Sequence, residues 1–196
     1  MATLNDADII SALKENAENG FRLLMAKYKE AVYWHIRRLV VSHADAQDAA
    51  QETFVRVFRS FRGFKSECSL GAWIYRIATN EALRVLESRR DGRLSLDDSE
   101  AGTSCLTADE YVDYSDLEAV KLQKAILSSP TKQQVAFNLR YYDELGYDEI
   151  AVVTNSTPAN VKANFVNTGR TPRKGTSRRC WSRWGFATTR WWHARS

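Results

Sequence analysis

Apolar residues recur every three or four positions over most of this chain, which is the spacing of one face of an α-helix. This pattern predicts a first helix over Phe21–Leu39 and a second from Ser42, where Ser42 and Asp45 suit a capping box. A third helix is expected from an N-cap at Ser69 to about Arg90. The residues expected on the three inner faces are Phe21, Leu24, Tyr28, Val32, Ile36, Leu39, Ala46, Ala50, Phe54, Val57, Phe61, Ile74, Ile77, Ala78, Ala82 and Val85. Three amphipathic helices with short connections predict a compact bundle.

The helical pattern is interrupted between about residues 91 and 116. This stretch contains the polar, acidic run Asp97–Ser104 and offers little apolar surface to offset the entropy of ordering. We therefore expect residues 91–116 to form a flexible linker between two folded units.

Shorter helices are predicted after the linker, from Leu117 to Phe165. Ser129 and Pro130 suit a helix start, with serine as the cap and proline as the first helical residue. A helix over Tyr147–Val153 is followed by a tight turn, in which Asn155 suits the left-handed conformation. Thr157-Pro158 then opens another helix. Two short helices joined by a tight turn predict a helix-turn-helix, and the expected fold class is all-α.

The last 31 residues, 166–196, differ from the rest and are called the tail below. They hold eight of the 28 basic residues, none of the 24 acidic residues and four of the six tryptophans. Gly169 and Pro172 predict that the last helix stops early. The remainder of the chain is slightly acidic, so the overall basic charge is no argument for nucleic-acid binding. The tail is either a shifted reading frame or truncated gene end, which we favour, or a basic-aromatic extension that grips DNA.

Several function classes are disfavoured by what the sequence lacks. No apolar run approaches the roughly 20 residues of a membrane span, and the N-terminus shows no secretory signal, so we expect a cytoplasmic protein without membrane insertion. The cysteines and histidines are isolated, which argues against a metal site and suits free thiols in a reducing compartment. These residues are Cys68, Cys105, Cys180, His35, His43 and His193. We expect no catalytic residue and no cofactor, and therefore no enzyme.

An acidic face lies on the second predicted helix, where Asp45, Asp48 and Glu52 are spaced at i, i+3 and i+7. Such a face is either a solvated surface or a docking site for a basic partner. The run Asp48-Ala49-Ala50-Gln51-Glu52-Thr53-Phe54 resembles the core-binding helix of extracytoplasmic-function sigma factors of the sigma-70 family. This resemblance implies that Asp45, Asp48, Gln51 and Glu52 bind the clamp of the largest subunit of RNA polymerase core.

The third predicted helix strengthens the resemblance. Its run from Trp73 to Asn80, Trp-Ile-Tyr-Arg-Ile-Ala-Thr-Asn, is similar to the promoter-melting region of that family. Arginine reaches phosphates, an aromatic ring stacks on a base and asparagine bonds a base edge. Alternatively, Trp73 is a core residue and the last two arginines are only a charged helix end. The residues that the resemblance assigns to minus-ten DNA, including the preceding loop, are Lys65, Ser66, Ser69, Trp73, Arg76, Asn80, Arg84, Arg89 and Arg90.

The C-terminal helices resemble the family's second DNA-binding domain, which reads the minus-thirty-five element. The matching residues are Tyr141-Tyr142, Tyr147-Asp148-Glu149-Ile150-Ala151 and Val161-Lys162. A helix-turn-helix alone is weak evidence, because many repressors contain one. The early residues of the second helix usually face the major groove. They are Thr157, Pro158, Asn160, Lys162, Ala163 and Asn164.

The resemblance implies a domain plan and a function. Residues 1–90 would be sigma region 2, residues 117–165 sigma region 4, with the linker between them and the atypical tail after them. The chain would direct promoter recognition, DNA melting and transcription initiation, and an anti-sigma factor is expected as a partner. The alternative is a stand-alone helix-turn-helix regulator, which needs no polymerase-docking face.

Overall fold

The computed structural model describes residues 5–94 and 117–170, and within these two ranges all regular structure is helical. The elements are α1 (Asp6–Glu15), α2 (Ala17–Val40), α3 (His43–Ser60), a 3₁₀ turn (Phe61–Gly63), α4 (Leu70–Leu94), α5 (Leu117–Leu127), α6 (Thr131–Tyr141), α7 (Tyr147–Thr154) and α8 (Pro158–Arg170). The all-α prediction is confirmed.

The first four helices form a bundle whose core is made by the predicted inner faces. Leu24, Val32 and Ile36 of α2 are fully buried. They meet Ala46 and Val57 of α3 and a row of small and branched residues on α4. Phe21, Phe61, Ile77 and Val85 are only partly buried at the rim of this core.

Helix α1 was not predicted from the sequence. It begins at the cap Asn5 and buries Ile9 and Leu13 against α2. The two helices approach closely at Gly20, where a Cβ atom would lie 2.3 Å from the backbone nitrogen of Leu13. Glycine at this position therefore permits the contact between α1 and α2.

Two predicted helix starts differ in detail. The Ser42 hydroxyl accepts from the Asp45 amide at 3.4 Å, but the Asp45 carboxylate pairs with Arg89, so the reciprocal half of the capping box is missing. At the start of α6, the helix begins at Thr131, one residue later than predicted. The Ser129 hydroxyl donates to the Ala125 carbonyl instead and thereby closes the end of α5.

The helix-turn-helix consists of α7 and α8. Asn155 adopts the left-handed conformation (φ 49°, ψ 51°), as predicted, and the Thr157 hydroxyl caps α8 by accepting from the Asn160 amide. Helix α8 does not stop early: it continues through Gly169 to Arg170. One glycine costs a helix only about 1 kcal/mol. That cost is offset because Thr168 is 1 % exposed and its hydroxyl lies 3.2 Å from the Gln133 carbonyl oxygen.

The predicted linker and tail lie mostly outside the described residues. Helix α4 runs past the expected boundary at Arg90 to Leu94, and residues 95–116 are not described. The first five tail residues belong to α8, and residues 171–196 are not described. The domain boundaries therefore stay a prediction.

The two helical halves of the described chain pack against each other. Helix α7 lies against α4, and α6 contacts α2. The buried apolar side chains form one continuous cluster that includes Ile74 of α4 together with Leu145 and Ile150 of the second half. The position of the second half is thus defined by direct contacts with the bundle.

Candidate nucleic-acid interface

The predicted acidic face of α3 is only partly available to a partner. Asp48 and Gln51 are exposed, as the helical spacing indicates. Glu52 is half-buried and accepts from Nε of Arg56 at 2.9 Å. Asp45 pairs with Arg89 near the end of α4, which ties α3 to α4. The structure therefore gives Asp45 a bundle contact and leaves Asp48 and Gln51 as the exposed members of the set.

An apolar groove of about 930 Å³ lies beside this face, between α2 and α3. Its lining includes Phe21, Met25, Phe54 and Gln51. The groove also contains Val55 and Phe58, which are 40 % and 48 % exposed although they are large and apolar. Sequence reasoning missed this groove. The signal was present, since Val55 and Phe58 are apolar residues three positions apart that do not belong to the inner face of α3.

The predicted DNA face of α4 is exposed at three positions between Arg76 and Arg84. Arg76, Asn80 and Arg84 all project into solvent, and the Arg84 side chain is 58 % exposed. Trp73 is half-buried, with its ring 5.1 Å from that of Phe64. It therefore belongs partly to the core, as the alternative explanation held, and keeps a part of its surface exposed.

A polar cleft of about 450 Å³ runs along this face between α3 and α4. Its lining includes Glu81, a carboxylate whose side chain is only 6 % exposed and accepts from Arg56 at 2.8 Å and from Arg84 at 3.3 Å. Buried carboxylates require such partners. Arg59 lines the same cleft. The cleft thus adds the cations Arg56 and Arg59 of α3 to the predicted DNA-binding residues of α4. Sequence reasoning missed these two arginines because they lie on a different helix.

The loop before α4 and the end of α4 combine exposed and engaged residues. Lys65 and Ser66 are exposed, and Ser66 has a positive φ of 56°. Ser69 caps α4 by accepting from the Ala72 amide at 3.2 Å, as predicted. Arg89 donates to the Val40 carbonyl at the end of α2 as well as to Asp45, so its contacts lie inside the bundle. The Arg90 side chain lies outside the described part of the chain.

The recognition helix α8 presents its predicted residues on one outer surface. Thr157, Pro158, Asn160, Lys162 and Ala163 are exposed, whereas Asn164 is half-buried. The opposite side is held by Val161, which is buried, and by Phe165, whose ring stacks on that of Phe137 with centroids 5.6 Å apart. A helix held from behind with polar residues in its first turns fits a DNA major groove.

Within residues 5–94 and 117–170, no group of His, Cys, Asp and Glu is arranged to hold a metal ion. In the same ranges, no helix combines the length and the apolar character that crossing a membrane requires.

Comparison with known proteins identifies the family. Two family models match, Sigma-70 region 2 over residues 24–92 and Sigma-70, region 4 over residues 119–166. The ECF RNA polymerase sigma factor SigW of Bacillus subtilis is 30% identical over 172 residues, covering 82% of this chain and 90% of that protein. This chain belongs to the extracytoplasmic-function sigma factors. It is therefore an RNA polymerase sigma factor for transcription initiation, as the motifs predicted, and a stand-alone regulator is not favoured.

Other relatives of this sigma factor agree. The RNA polymerase sigma-H factor of Pseudomonas aeruginosa is 27% identical over 176 residues, covering 82% of this chain and 88% of that protein. Among solved structures, CnrH, determined with the cytosolic domain of CnrY, covers 93% of this chain and 97% of its own at a TM-score of 0.63 and 18% identity. RpoE of Bartonella quintana, solved with the anti-sigma factor NepR, covers 76% of this chain and 91% of its own at a TM-score of 0.59 and 19% identity. At these identities the two structures support the fold.

Proposed function

We propose that this sigma factor docks on RNA polymerase core through Asp48, Gln51 and the groove between α2 and α3. The groove supplies exposed apolar surface, and Asp48 adds negative charge to the same side of α3. A surface of this kind fits a partner helix that carries apolar anchors flanked by basic residues. In the resemblance stated above, that partner is the clamp of the largest polymerase subunit.

Promoter contacts are proposed for two separate surfaces. On α4, the exposed row Arg76, Asn80 and Arg84 with the adjoining cleft offers phosphate-binding cations beside an amide that can bond a base edge. On α8, the outer surface around Asn160 and Lys162 is proposed to enter the major groove of the minus-thirty-five element. Arg89 is left out of this proposal because its contacts are internal.

The remaining expectations belong to the same proposal. We expect an anti-sigma factor as a partner, since RpoE of Bartonella quintana was solved with one. We propose that this sigma factor acts in the cytoplasm, where RNA polymerase is, and that it catalyses no reaction itself. Its chemistry is binding and strand separation, to which the polymerase adds catalysis.

The observation that carries the docking proposal is the exposure of Asp48 and Gln51 beside an open apolar groove. Its test is Asp48→Lys in a pull-down with core polymerase, because a lysine at this position would oppose a basic partner. Glu52 is unsuitable for this test, since its pair with Arg56 continues to the buried Glu81. Glu15→Lys, an equal charge change on the exposed end of α1, is the matched control.

We expect Asp48→Lys to lose most of its polymerase binding and Glu15→Lys to keep it. The free energy of unfolding of both variants should lie within about 0.5 kcal/mol of that of the parent chain, because surface substitutions generally have small effects. Unchanged polymerase binding by Asp48→Lys would show that this face of α3 is only a solvated surface.

A further inference from the structure

A nearly buried carboxylate lines the polar cleft between α3 and α4 and pairs with one arginine of each helix. Oε1 of Glu81 lies 2.8 Å from Nε of Arg56 on α3, and Oε2 lies 3.3 Å from Nη1 of Arg84 on α4. The two arginine side chains are 38 % and 58 % exposed, far more than the carboxylate. Glu81 therefore holds both cations from the protein side, while part of each cation stays open to solvent.

Both guanidinium groups keep hydrogen-bond donors for a further anion. A guanidinium carries five N–H donors in a planar fork. Glu81 and Glu52 both contact Arg56 at Nε, and Glu81 contacts Arg84 at Nη1. N–H groups therefore remain on the terminal nitrogens of Arg56 and on the other nitrogens of Arg84. Planar forks of this kind match the oxygens of a phosphate group.

Sharing one carboxylate also brings the two cations together. Arg56 and Arg84 lie on different helices, and two positive charges repel each other at short range. The carboxylate between them offsets that repulsion, because each arginine pairs with a different oxygen of the same group. A phosphate likewise presents several oxygens around one atom. Two guanidinium groups held in this way can reach oxygens of one phosphate from opposite sides of the cleft.

Stability alone gives little reason for an acid at position 81. Burying a carboxylate carries a desolvation cost that an ion pair does not always offset, and a well-packed apolar residue is often as stabilising. The neighbouring residues Ala78 and Ala82 are fully buried in the apolar core of the bundle. The acid is better explained by its effect on the two arginines, which line the cleft with it.

We propose that Glu81 is a positioning residue, which holds Arg56 and Arg84 as a preformed pair for a phosphate of the minus-ten strand. This role rests on the proposed promoter contacts of α4 and adds Arg56 of α3 to them. A long side chain loses rotamer freedom when it is fixed on a ligand, which weakens binding by about two- to tenfold. Glu81 imposes this order before the DNA arrives.

The variant Glu81→Gln tests the role, because the effects of charge and of positioning have opposite signs. Removing a negative charge near DNA phosphates should by itself strengthen binding. A carboxamide has only one acceptor oxygen, and its nitrogen only donates, so it cannot hold both arginines. We therefore expect the affinity of the polymerase-bound sigma factor for a single-stranded minus-ten oligonucleotide to fall about two- to tenfold, measured by fluorescence anisotropy. Glu87→Gln, the same charge change at an exposed position of α4, is the matched control and should bind at least as tightly as the parent chain.

A second measurement separates positioning from a general structural role. Glu81→Gln is repeated in a chain that already carries Arg84→Ala. Arg56 is still held by Glu52 in that chain, at 2.9 Å in the parent structure. Because Arg84 is already gone, the fall in affinity should shrink to less than about twofold. A structural defect would instead lower the affinity by the same factor in both backgrounds.

Two results would overturn the positioning role: an affinity of Glu81→Gln equal to or above that of Glu87→Gln, or an equal fall in the presence of Arg84→Ala. Circular dichroism reports whether Glu81→Gln has kept its helices. If it has not, Arg56→Gln replaces it and should lower the slope of log affinity against log salt by about 0.7 relative to Arg22→Gln, an exposed position on α2. An unchanged slope in Arg56→Gln would equally overturn the role.

Failure of the proposed promoter contacts gives a different pattern of results. If Arg84→Ala alone keeps the affinity and the salt slope of the parent chain, the α4 face does not bind the strand and both proposals are wrong. If Arg84→Ala weakens binding and Glu81→Gln does not, the α4 contacts stand and only the positioning role is wrong.

Discussion

Replacing the two exposed arginines of α4, Arg76→Ala with Arg84→Ala, should weaken binding of the minus-ten strand without unfolding the protein. Arg84 contacts Glu81 at 3.3 Å, but its side chain is 58 % exposed, and such exposed pairs contribute only about 0–1 kcal/mol. Glu81 keeps the shorter contact with Arg56. Arg76 is exposed as well. The free energy of unfolding should therefore fall by no more than about 1 kcal/mol.

The effect on DNA binding is set by phosphate contacts. Each cation on a single strand contributes about 0.7 to the slope of log affinity against log salt, so the double variant should lose about 1.4. When the salt concentration is raised from 50 to 200 mM, the ratio of the parent's DNA affinity to that of the variant should therefore fall about sevenfold. The assay is fluorescence anisotropy of a single-stranded minus-ten oligonucleotide with the polymerase-bound sigma factor. Lys14→Ala with Arg22→Ala removes the same charge from exposed positions on α1 and α2 and is the control.

Equal salt slopes for the parent chain and the α4 double variant would refute this reasoning. The same conclusion would follow if the control lost as much slope as the α4 variant, because the effect would then come from net charge and not from the α4 face.

Two further predictions concern the C-terminal half, and both are measured by urea unfolding followed by circular dichroism. Thr168→Ala removes one hydrogen bond and a buried methyl group, so it should lower the free energy of unfolding by about 1–2 kcal/mol. An unchanged urea midpoint would mean that the last turn of α8 is not packed. Asn138 is fully buried, and among the described residues its amide atoms have no hydrogen-bond partner. Asn138→Leu should therefore raise the free energy of unfolding by about 1 kcal/mol or more, and a loss would reveal a missing polar partner.

The pattern of apolar and polar residues predicted those features that depend only on residues close together in the sequence. Period-3.6 apolar positions predicted α2, α3 and α4, because a helix in a small bundle must bury one face. Asn155 was predicted in the left-handed conformation, because asparagine tolerates it better than other non-glycine residues. These features need only the residues within one element.

The errors arise where packing against another element outweighs a local preference. Gly169 and Pro172 predicted an early end of the last helix, yet α8 continues through Gly169 because Thr168 is packed on α6. Asp45 and Arg89 each suit an exposed functional face when their helix is considered alone, and they pair with each other in the structure. Local propensity is a weak prior where tertiary contacts are available.

The contacts between distant elements could not be predicted from spacing at all. His35 and Asp143 are 108 positions apart, and no periodicity relates them. Arg56 and Glu81 lie on different helices, so the cleft beside Arg84 exists only once α3 and α4 are packed. A sequence motif can identify the residues on one helix face. Predicting a cleft or an interface also requires the position of two helices relative to each other.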